Sequence, residues 1–216
     1  MSAQVKICGI STIEALEVAI ANGADFIGLV FYPKSPRNVS IEQAGPLAQH
    51  ARGKTKIVAL TVDADNALLH NITQKVQPDY IQAHGSETPE RIAEIKQKTG
   101  VPIIKAIKVR DRSDIAQADA FSEVADIILF DAKAPDNMAN ALPGGNAIIF
   151  DWSLLKSSPM PERFMLSGGL DVENIADAVM TTDAAIFDVS SGVESSPGKK
   201  DLAAIKNFIV AMRNAS

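Results

Sequence analysis

Short apolar runs alternate with amphipathic segments along the whole chain. The apolar runs cover 5–10, 25–31, 56–62, 80–84, 103–109, 127–132, 164–168 and 184–189. Continuous apolar character over such lengths is typical of strands that are buried on both faces of a parallel sheet. Helical spacing of apolar residues covers 12–22, 41–52, 65–77, 89–99, 112–124, 171–182 and 199–213. The pattern therefore predicts eight strands that alternate with helices.

Residues that favour helix ends stand at several of these boundaries. Ser11 and Glu14 have capping-box spacing before the first helix. Thr88, followed by Pro89 and Glu90, supplies an N-cap, a first-turn proline and an early acid for the fourth. Glycines occupy helix ends where a left-handed residue is needed, at Gly23, Gly53 and Gly100.

Eight strand–helix units over this length predict a single (β/α)8 TIM barrel of the phosphate-binding type, formed by residues 1–216. A doubly wound open sheet is the main alternative, but it normally uses fewer strands. The segment 132–163 departs from the repeat and is a candidate lid. Within it, 147–150 is apolar; we interpret it as the entry to a short helix near Asp151 rather than as a ninth strand.

Composition narrows the class of protein. The chain has 216 residues, a formal charge of −5 and a pI near 5.2, which argues against a nucleic-acid or anionic-membrane partner. One cysteine excludes an internal disulfide and suits a reducing compartment. No apolar run reaches the length of a membrane span, and strand-like sequence follows Met1 too closely for a signal peptide. We expect a cytoplasmic protein without an obligate protein partner.

Two reactive side chains stand at predicted strand ends. Cys8 shares a strand face with Lys6, and Asp131 ends the sixth strand. In a (β/α)8 barrel the carboxyl ends of the strands build the active site. Polar residues at these ends and in the loops after them form one candidate set: Cys8, Arg37, His84, Lys105, Asp131, Asp188, Ser190 and Ser191. The alternative for any one of them is a structural ion pair, but for all eight this is improbable.

The last two strands end in residues that suit a phosphate group. Ser167-Gly168-Gly169 follows the seventh strand and Ser190-Ser191-Gly192 the eighth. Glycine lets the backbone approach a phosphate closely, and serine and backbone N–H groups donate to its oxygens. The alternative is two tight turns that need glycine. Because these loops are the usual phosphate site of the fold, we favour phosphate binding.

Other chemistry has less support. His50, His70 and His84 lack ligand spacing, so we expect no metal site, with His50 and His70 on helix surfaces. A desolvated Lys105 would be able to form a Schiff base, although we favour a cation that balances nearby acids or attracts a substrate anion. The Lys199–Lys200 pair is interpreted as the solvated start of a helix.

Several motifs also match a known family. The chain resembles the phosphoribosylanthranilate isomerases in segments that run in order from one end to the other. They are Lys6-Ile7-Cys8-Gly9-Ile10, Gly23-Ala24-Asp25, Phe26-Ile27-Gly28, Phe31-Tyr32-Pro33-Lys34-Ser35-Pro36-Arg37, Gln82-Ala83-His84-Gly85, Ile104-Lys105-Ala106, Phe130-Asp131-Ala132, Phe150-Asp151-Trp152, Ser167-Gly168-Gly169-Leu170 and Asp188-Val189-Ser190-Ser191-Gly192-Val193-Glu194.

The resemblance implies an enzyme of tryptophan biosynthesis that uses no cofactor. Its reaction is an Amadori rearrangement of N-(5-phosphoribosyl)anthranilate to 1-(2-carboxyphenylamino)-1-deoxyribulose 5-phosphate. By resemblance Asp131 is the acid that opens the furanose ring, Cys8 is the base at C2, and Arg37 contacts the anthranilate carboxylate. Asp188 is a candidate for a sugar hydroxyl, and His84 for the mouth of the site.

The chain departs from the family pattern in two places. Gly144-Gly145-Asn146-Ala147-Ile148-Ile149 replaces a polar, glycine-rich loop, which puts any substrate contact from that loop in doubt. Ala83 replaces a common leucine, a change expected to affect only packing. The altered loop leaves open a non-catalytic sugar-phosphate-binding protein, and Lys105 leaves open a Schiff-base lyase. The related barrel isomerases of the histidine pathway have a pattern of two aspartates, with an acid at the position of Cys8. The cysteine in this chain therefore argues against that activity.

Overall fold

A computed structural model describes residues 3–135, 144–146, 148–156, 158 and 160–216. Eight parallel strands, each hydrogen-bonded to the next and the last to the first, close a barrel. The strands are β1 (Gln4–Cys8), β2 (Phe26–Phe31), β3 (Lys56–Thr61), β4 (Tyr80–Ala83), β5 (Ile103–Val109), β6 (Ile127–Ala132), β7 (Phe164–Leu166) and β8 (Ile186–Val189). Closure confirms the predicted (β/α)8 fold and contradicts the open-sheet alternative.

Eight α-helices surround the barrel within the described ranges. They are α1 (Ile13–Ala21), α2 (Ile41–Ala51), α3 (Asn66–Lys75), α4 (Pro89–Thr99), α5 (Arg112–Ala116), α6 (Ser153–Lys156), α7 (Ile175–Thr181) and α8 (Leu202–Ala215). The fifth helix is shorter than predicted because a 3-10 turn, Gln117–Phe121, continues it. Ile148, Ile149 and Phe150 lie outside any strand, which agrees with their interpretation as the entry to α6.

The helix ends follow the predicted chemistry with one exception. Thr88 caps α4 through its side chain, and Gly100 ends that helix in the left-handed region with φ of +67°. At α1 the predicted cap, Ser11, is wrong. Thr12 is the N-cap and accepts a hydrogen bond from the backbone N–H of Ala15. The cap is one residue later because the helix itself begins at Ile13.

The C-terminal segment corrects the interpretation of the lysine pair. A two-stranded hairpin, β9 (Glu194–Ser196) with β10 (Lys199–Lys200), precedes α8. Asp201 is the N-cap of α8, so the pair lies outside the helix. Lys200 is not solvated: its side chain is only 2% exposed and binds Glu194. The strand pairing of the hairpin turns this side chain inward.

Strand residues separate into two apolar layers according to their parity. Alternate positions such as Phe26 and Ile104 pack inside the barrel, whereas Ile27 and Ile103 pack between strands and helices. Because the pleat reverses direction at each residue, a strand's polar residues point inward only if they share the inner parity. Lys6 and Cys8 have that parity on β1, while Lys105 has the outer parity on β5.

Among the described helices, none combines the length and the apolar character that crossing a membrane requires.

Candidate active site

The carboxyl ends of the strands surround one buried cavity. Its walls combine inward-facing strand residues with residues of the following loops: Cys8, Val30, Tyr32, Ser35, Arg37, Leu60, Val62, His84, Asp131, Gly144, Gly145, Ser167, Asp188 and Ser190. The structure thus brings together six of the eight polar residues predicted to meet at the strand ends. Ser191 lies in the turn that follows, and Lys105 points elsewhere.

Cys8 is the last residue of β1, and its side chain occupies space that is open because Gly28 has no side chain. The two residues are register partners on β1 and β2, and a Cβ built on Gly28 would lie 2.9 Å from the Cys8 sulfur. The missing side chain therefore makes room for the thiol inside the barrel. Cys8 is 4% exposed, so access to it is from the cavity.

Charged neighbours act on the Cys8 thiol in opposite directions. Burial raises the pKa of Cys8 above its usual range, and the Asp188 carboxylate adds to that effect. The ammonium groups of Lys6 and Lys200 lower it. Lys6 is fully buried and pairs with Asp188 at 2.8 Å. Burial alone would lower the pKa of Lys6, but Asp188 and Cys8 outweigh burial and raise it, so Lys6 remains a cation beside the thiol.

Asp131 faces the cavity from β6 and is held by two groups. Its Oδ2 lies 3.1 Å from Nε2 of His84, and its Oδ1 accepts a hydrogen bond from the backbone N–H of Ala132 at 3.0 Å. On the other side of the imidazole, Nδ1 of His84 lies 2.7 Å from Nε2 of Gln82. All three side chains are buried. The carboxyl group therefore ends a polar chain that begins inside β4.

Arg37 reaches the cavity from the loop after β2 and is fixed by Glu194. Nε and Nη2 donate to the two carboxylate oxygens of Glu194, each at 2.8 Å. Burial would raise the pKa of Glu194, but Arg37 and Lys200 hold that pKa below its usual range. The opposite edge of the guanidinium faces Gly145, whose carbonyl oxygen is 3.5 Å from Nη2. The Arg37 guanidinium therefore lines the cavity in an orientation fixed by Glu194 on one edge and by Gly145 on the other.

Lys200 joins this cluster to Cys8. Its ammonium donates to Glu194 and to the Ser190 carbonyl, each at 2.8 Å. The Ser190 hydroxyl in turn donates to the Cys8 carbonyl oxygen at 3.1 Å. Burial lowers the pKa of Lys200 although Glu194 opposes the change. The hairpin after β8 thus braces both the arginine and the strand end that carries the thiol.

The two predicted phosphate loops lie next to each other at this end of the barrel. Gly168 and Gly169 have φ of +95° and +63°, so glycine is required there by the backbone conformation. Ser191 and Gly192 form a 3-10 turn with Val193, and a Cβ on Gly192 would overlap the backbone of Leu170. The glycines therefore serve turn geometry and close loop packing, while their N–H groups remain at the strand ends.

The loop before α6 covers Asp131 and Arg37. A Cβ on Gly144 would lie 2.6 Å from Nε2 of His84 and 2.8 Å from Oδ2 of Asp131, and one on Gly145 would lie 2.7 Å from Nη1 of Arg37. Only glycine fits this close approach. Residues 136–143, 147, 157 and 159 of the candidate lid, 132–163, lie outside the described residues.

Lys105 is the member of the predicted set that points away from the cavity. It extends from β5 toward the helices, donates to the Gly85 carbonyl and pairs with Glu87 at 2.9 Å. Its parity on the strand is the reason, because neighbouring Ile104 and Ala106 occupy the barrel interior. The prediction that Lys105 balances an acid is confirmed, and a Schiff base in the cavity is contradicted. His50 and His70 lie on α2 and α3, as predicted.

Sequence reasoning did not assign four residues that shape the site: Gly28, Gln82, Glu194 and Lys200. Gly28 and Gln82 have the inner parity of their strands, and this parity was the signal that would have placed them inside the barrel. Glu194 and Lys200 depend on the hairpin, for which the apolar pattern carries no signal. Across the described ranges, no group of three or more His, Cys, Asp or Glu side chains is arranged to hold a metal ion.

Comparison with known proteins identifies the family of this chain. The family model for N-(5'-phosphoribosyl)anthranilate (PRA) isomerase matches residues 5–211. N-(5'-phosphoribosyl)anthranilate isomerase of Rhizobium meliloti strain 1021 is 51% identical over 215 residues, covering 100% of this chain and 99% of the relative. The enzyme of that name from Parvibaculum lavamentivorans strain DS-1 is 47% identical over 215 residues, covering 100% of both.

Solved structures agree with these sequences. Phosphoribosyl anthranilate isomerase from Thermotoga maritima has a TM-score of 0.85 at 34% identity, covering 98% of this chain and 99% of that one. A crystal structure of phosphoribosyl anthranilate isomerase in complex with reduced 1-(o-carboxyphenylamino)-1-deoxyribulose 5-phosphate has a TM-score of 0.83 at 32% identity, with the same coverage. The chain belongs to the N-(5'-phosphoribosyl)anthranilate isomerase family and is an intramolecular aldose–ketose isomerase of tryptophan biosynthesis.

Proposed function

We propose that Cys8 and Asp131 carry out the isomerisation as general base and general acid. The observation that carries the proposal is their position: the thiol on β1 and the carboxyl group on β6 line one buried cavity. Proton transfer requires groups within hydrogen-bond reach of a substrate held between them. One sugar bound in this cavity has both groups beside it, on different strands.

The assigned roles give a balanced reaction. Asp131 donates a proton to the furanose ring oxygen as the C1–O bond breaks, which leaves a protonated Schiff base at C1. The Cys8 thiolate then removes the proton from C2, and the electron pair of that C–H bond moves into the enolamine. Transfer of the enol proton to C1 gives the ketone, and loss of a proton from Cys8 and uptake of one by Asp131 through solvent restore both groups. No external electron acceptor enters, because C1 is reduced as C2 is oxidised.

The surroundings of Cys8 disfavour the thiolate that a general base requires. Since burial raises the pKa of Cys8, most molecules hold a neutral thiol near pH 7. Lys6, fully buried and cationic, offsets part of that burial and stabilises the thiolate. We assign to Lys6 the role of keeping the reactive thiolate accessible at neutral pH.

The substrate's two anionic ends suit opposite walls of the cavity. The Arg37 guanidinium, which lines the cavity, matches the planar geometry of the anthranilate carboxylate. The N–H groups of Gly168, Gly169, Ser191 and Gly192, with the Ser190 hydroxyl, are our proposed ligands of the phosphate. Asp188, whose Oδ2 lies 3.5 Å from the Ser167 hydroxyl, is proposed to bind a sugar hydroxyl, and His84 to support Asp131.

The remaining expectations are part of the same proposal. One barrel domain over 1–216 supplies every group named above, and the negative net charge and lone cysteine support a cytoplasmic enzyme whose partner is its phosphosugar substrate. Neither a nucleic acid nor a membrane surface has a role in it. The tight packing of Gly144 and Gly145 over the cavity supports a closed site despite the apolar change in that loop.

Substitution of the two proposed groups tests the assignment. Cys8→Ala and Asp131→Ala are each expected to lower kcat by about 10²- to 10⁴-fold, because each removes one proton transfer. The measurement is loss of fluorescence of phosphoribosylanthranilate generated in situ, with circular dichroism to verify folding. Asp177→Ala, at an exposed position on α7, is the control and should match the wild type. Near-normal turnover by either folded site variant would reject its role.

A further inference from the structure

A buried polar chain connects β4 to the proposed acid. Gln82, His84 and Asp131 are 0%, 5% and 2% exposed, and their side chains are joined in that order by contacts of 2.7 and 3.1 Å. At the inner end of the chain, Oε1 of Gln82 is buried and has no hydrogen-bond partner in the described part of the protein. A buried carbonyl oxygen without a donor is costly, so its position needs a reason.

The two ends of the Gln82 amide select different protonation states of His84. With Nε2 of Gln82 against Nδ1, the amide donates and Nδ1 accepts. The neutral imidazole then carries its proton on Nε2 and donates it to the Asp131 carboxylate. With the amide rotated by half a turn, Oε1 gains a partner only if Nδ1 carries a proton. The unpaired oxygen is therefore the acceptor that a protonated Nδ1 requires.

The proposed acid step needs one more proton on the His84–Asp131 pair. Oδ1 of Asp131 already accepts from the backbone N–H of Ala132, and one proton already lies between Oδ2 and Nε2 of His84, so the added proton occupies Nδ1. The pair is then either a carboxylic acid that donates to Nε2 of His84 or an imidazolium beside the carboxylate. In both forms Nδ1 carries a proton and points at the Gln82 amide.

We propose that Gln82 is a positioning residue whose side-chain amide rotates to accept a hydrogen bond from Nδ1 of His84 whenever the His84–Asp131 pair holds the proton used in ring opening. The inference rests on the acid role proposed for Asp131. Gln82 itself touches neither the substrate nor the reacting atoms, since it lies one layer below His84 on the strand.

Nitrogen NMR of the histidines tests this directly. The chain has only three histidines, and His50 and His70 on the helices serve as internal references. In protein labelled with 15N-histidine, Gln82→Glu places a carboxylate that only accepts, so Nδ1 of His84 should be protonated. In Gln82→Met neither state is favoured by a hydrogen bond from residue 82. The same Nδ1 signal in wild type, Gln82→Glu and Gln82→Met would overturn the proposal.

Kinetics provide the second readout. Gln82→Met should lower kcat about tenfold, the worth of one buried hydrogen bond, with KM unchanged. Gln82→Glu, which keeps an acceptor, should retain more of kcat than Gln82→Met. Tyr80→Phe, on the same strand face two residues earlier, is the matched control and should keep kcat. Equal loss in both Gln82 variants, or a rise in KM alone, would show that residue 82 acts only through packing.

Failure of this inference is separable from failure of the acid assignment. If Asp131 is not the acid, Asp131→Ala retains turnover, while the His84 nitrogen signals still answer whether residue 82 controls Nδ1. If Asp131 is the acid and Gln82 acts through it, adding Gln82→Met to Asp131→Ala causes no further loss of kcat. Should Gln82→Met fail to fold, the Nδ1 signal of Gln82→Glu decides the question alone.

Discussion

Two buried lysine–carboxylate pairs use the same chemistry on opposite faces of the barrel wall. Lys6 binds Asp188 at 2.8 Å inside the barrel, and Lys105 binds Glu87 at 2.9 Å outside it. All four side chains are 5% exposed or less. In each pair, removing one partner leaves a buried charge without compensation. Their difference lies in what surrounds them.

The inner pair borders the cavity, and the outer pair supports a loop. Lys6 shares its strand face with Cys8 and opposes the effect of burial on the thiol. Lys105 donates to the carbonyl oxygen of Gly85 and lies 5.6 Å from the centre of the Phe121 ring. Glu87 accepts from the backbone N–H groups of Asp63 and Gly85. The parity of a residue on its strand thus separates a charge that lies beside the Cys8 thiol from one that holds the β4 loop in place.

Among changes to the two pairs, the largest expected effect on activity follows from removing the inner cation. Lys6→Met should lower kcat about 100-fold, because the Cys8 thiolate loses its buried counter-charge and the thiol pKa rises further. The pH at which the sole cysteine is alkylated by iodoacetamide should move upward in parallel, measured by mass spectrometry on folded protein.

A double variant separates this effect from simple destabilisation. In Lys6→Met with Asp188→Asn, no buried charge is left unpaired, so most of the lost stability should return. Turnover should remain low, because the cation beside Cys8 is still missing and the Asp188 carboxylate proposed to bind the sugar has become an amide. Recovery of kcat together with stability would mean that Lys6 acts on the fold alone.

The outer pair should show the reverse division. Lys105→Met should lower the free energy of unfolding by about 3–5 kcal/mol, because Glu87 is left buried and unpaired. The kcat per folded molecule should stay close to that of the wild type, since Lys105 does not line the cavity. Urea unfolding and active-site titration measure the two quantities, and Lys105→Met with Glu87→Gln should regain most of the stability. A large fall in kcat of folded Lys105→Met would contradict the comparison.

Acid should weaken the outer pair in the same way. Burial would raise the pKa of Glu87, but Lys105 outweighs it and holds the pKa below the ordinary value of 4.5. The pair's contribution to stability is therefore present above about pH 4.5 and is lost as the pH falls through the depressed pKa. Unfolding of Glu87→Gln should lack this part of the pH dependence.

The local sequence pattern predicted the barrel, but it did not predict on which side of the barrel wall each charged side chain lies. The apolar runs predicted the eight strands because a strand buried on both faces has continuous apolar character. For the same reason those runs contain no alternation that would mark the inner face. Lys105 was therefore grouped with Cys8 and Asp131, although it has the outer parity of β5.

Residues far apart in the chain account for the rest of the site. Arg37 and Glu194 are 157 positions apart, and their bidentate pair depends on a hairpin of short, polar strands. Hydrophobic periodicity carries no signal for such a hairpin, so the sequence predicted Lys200 at the solvated start of a helix. The role of Gln82 depends on a contact with its own strand neighbour His84, which requires knowing that both point inward.

Two glycines allow the effect of one added methyl group to be compared inside and outside the barrel wall. Gly28 faces Cys8 within the barrel, while a Cβ on Gly45 of α2 would meet no atom within 4 Å. Gly28→Ala should lower kcat about 100-fold, because the new methyl group, placed 2.9 Å from the sulfur, displaces the thiol from its position. Gly45→Ala should leave kcat unchanged and change the free energy of unfolding by less than about 1 kcal/mol, because the helix preference of alanine is offset by its contact with the ring of Pro46.

Together the two alanines compare a methyl group beside the thiol with one at the helix surface. Turnover and urea unfolding measured on both variants give the result, and iodoacetamide alkylation reports whether the Cys8 sulfur remains accessible. If Gly28→Ala keeps kcat while its stability falls, the glycine serves packing and the placement of Cys8 is not limiting. If it loses kcat while the fold is retained, the space opened by Gly28 is part of how β1 presents its base, since Gly45→Ala adds the same methyl group at no cost to activity.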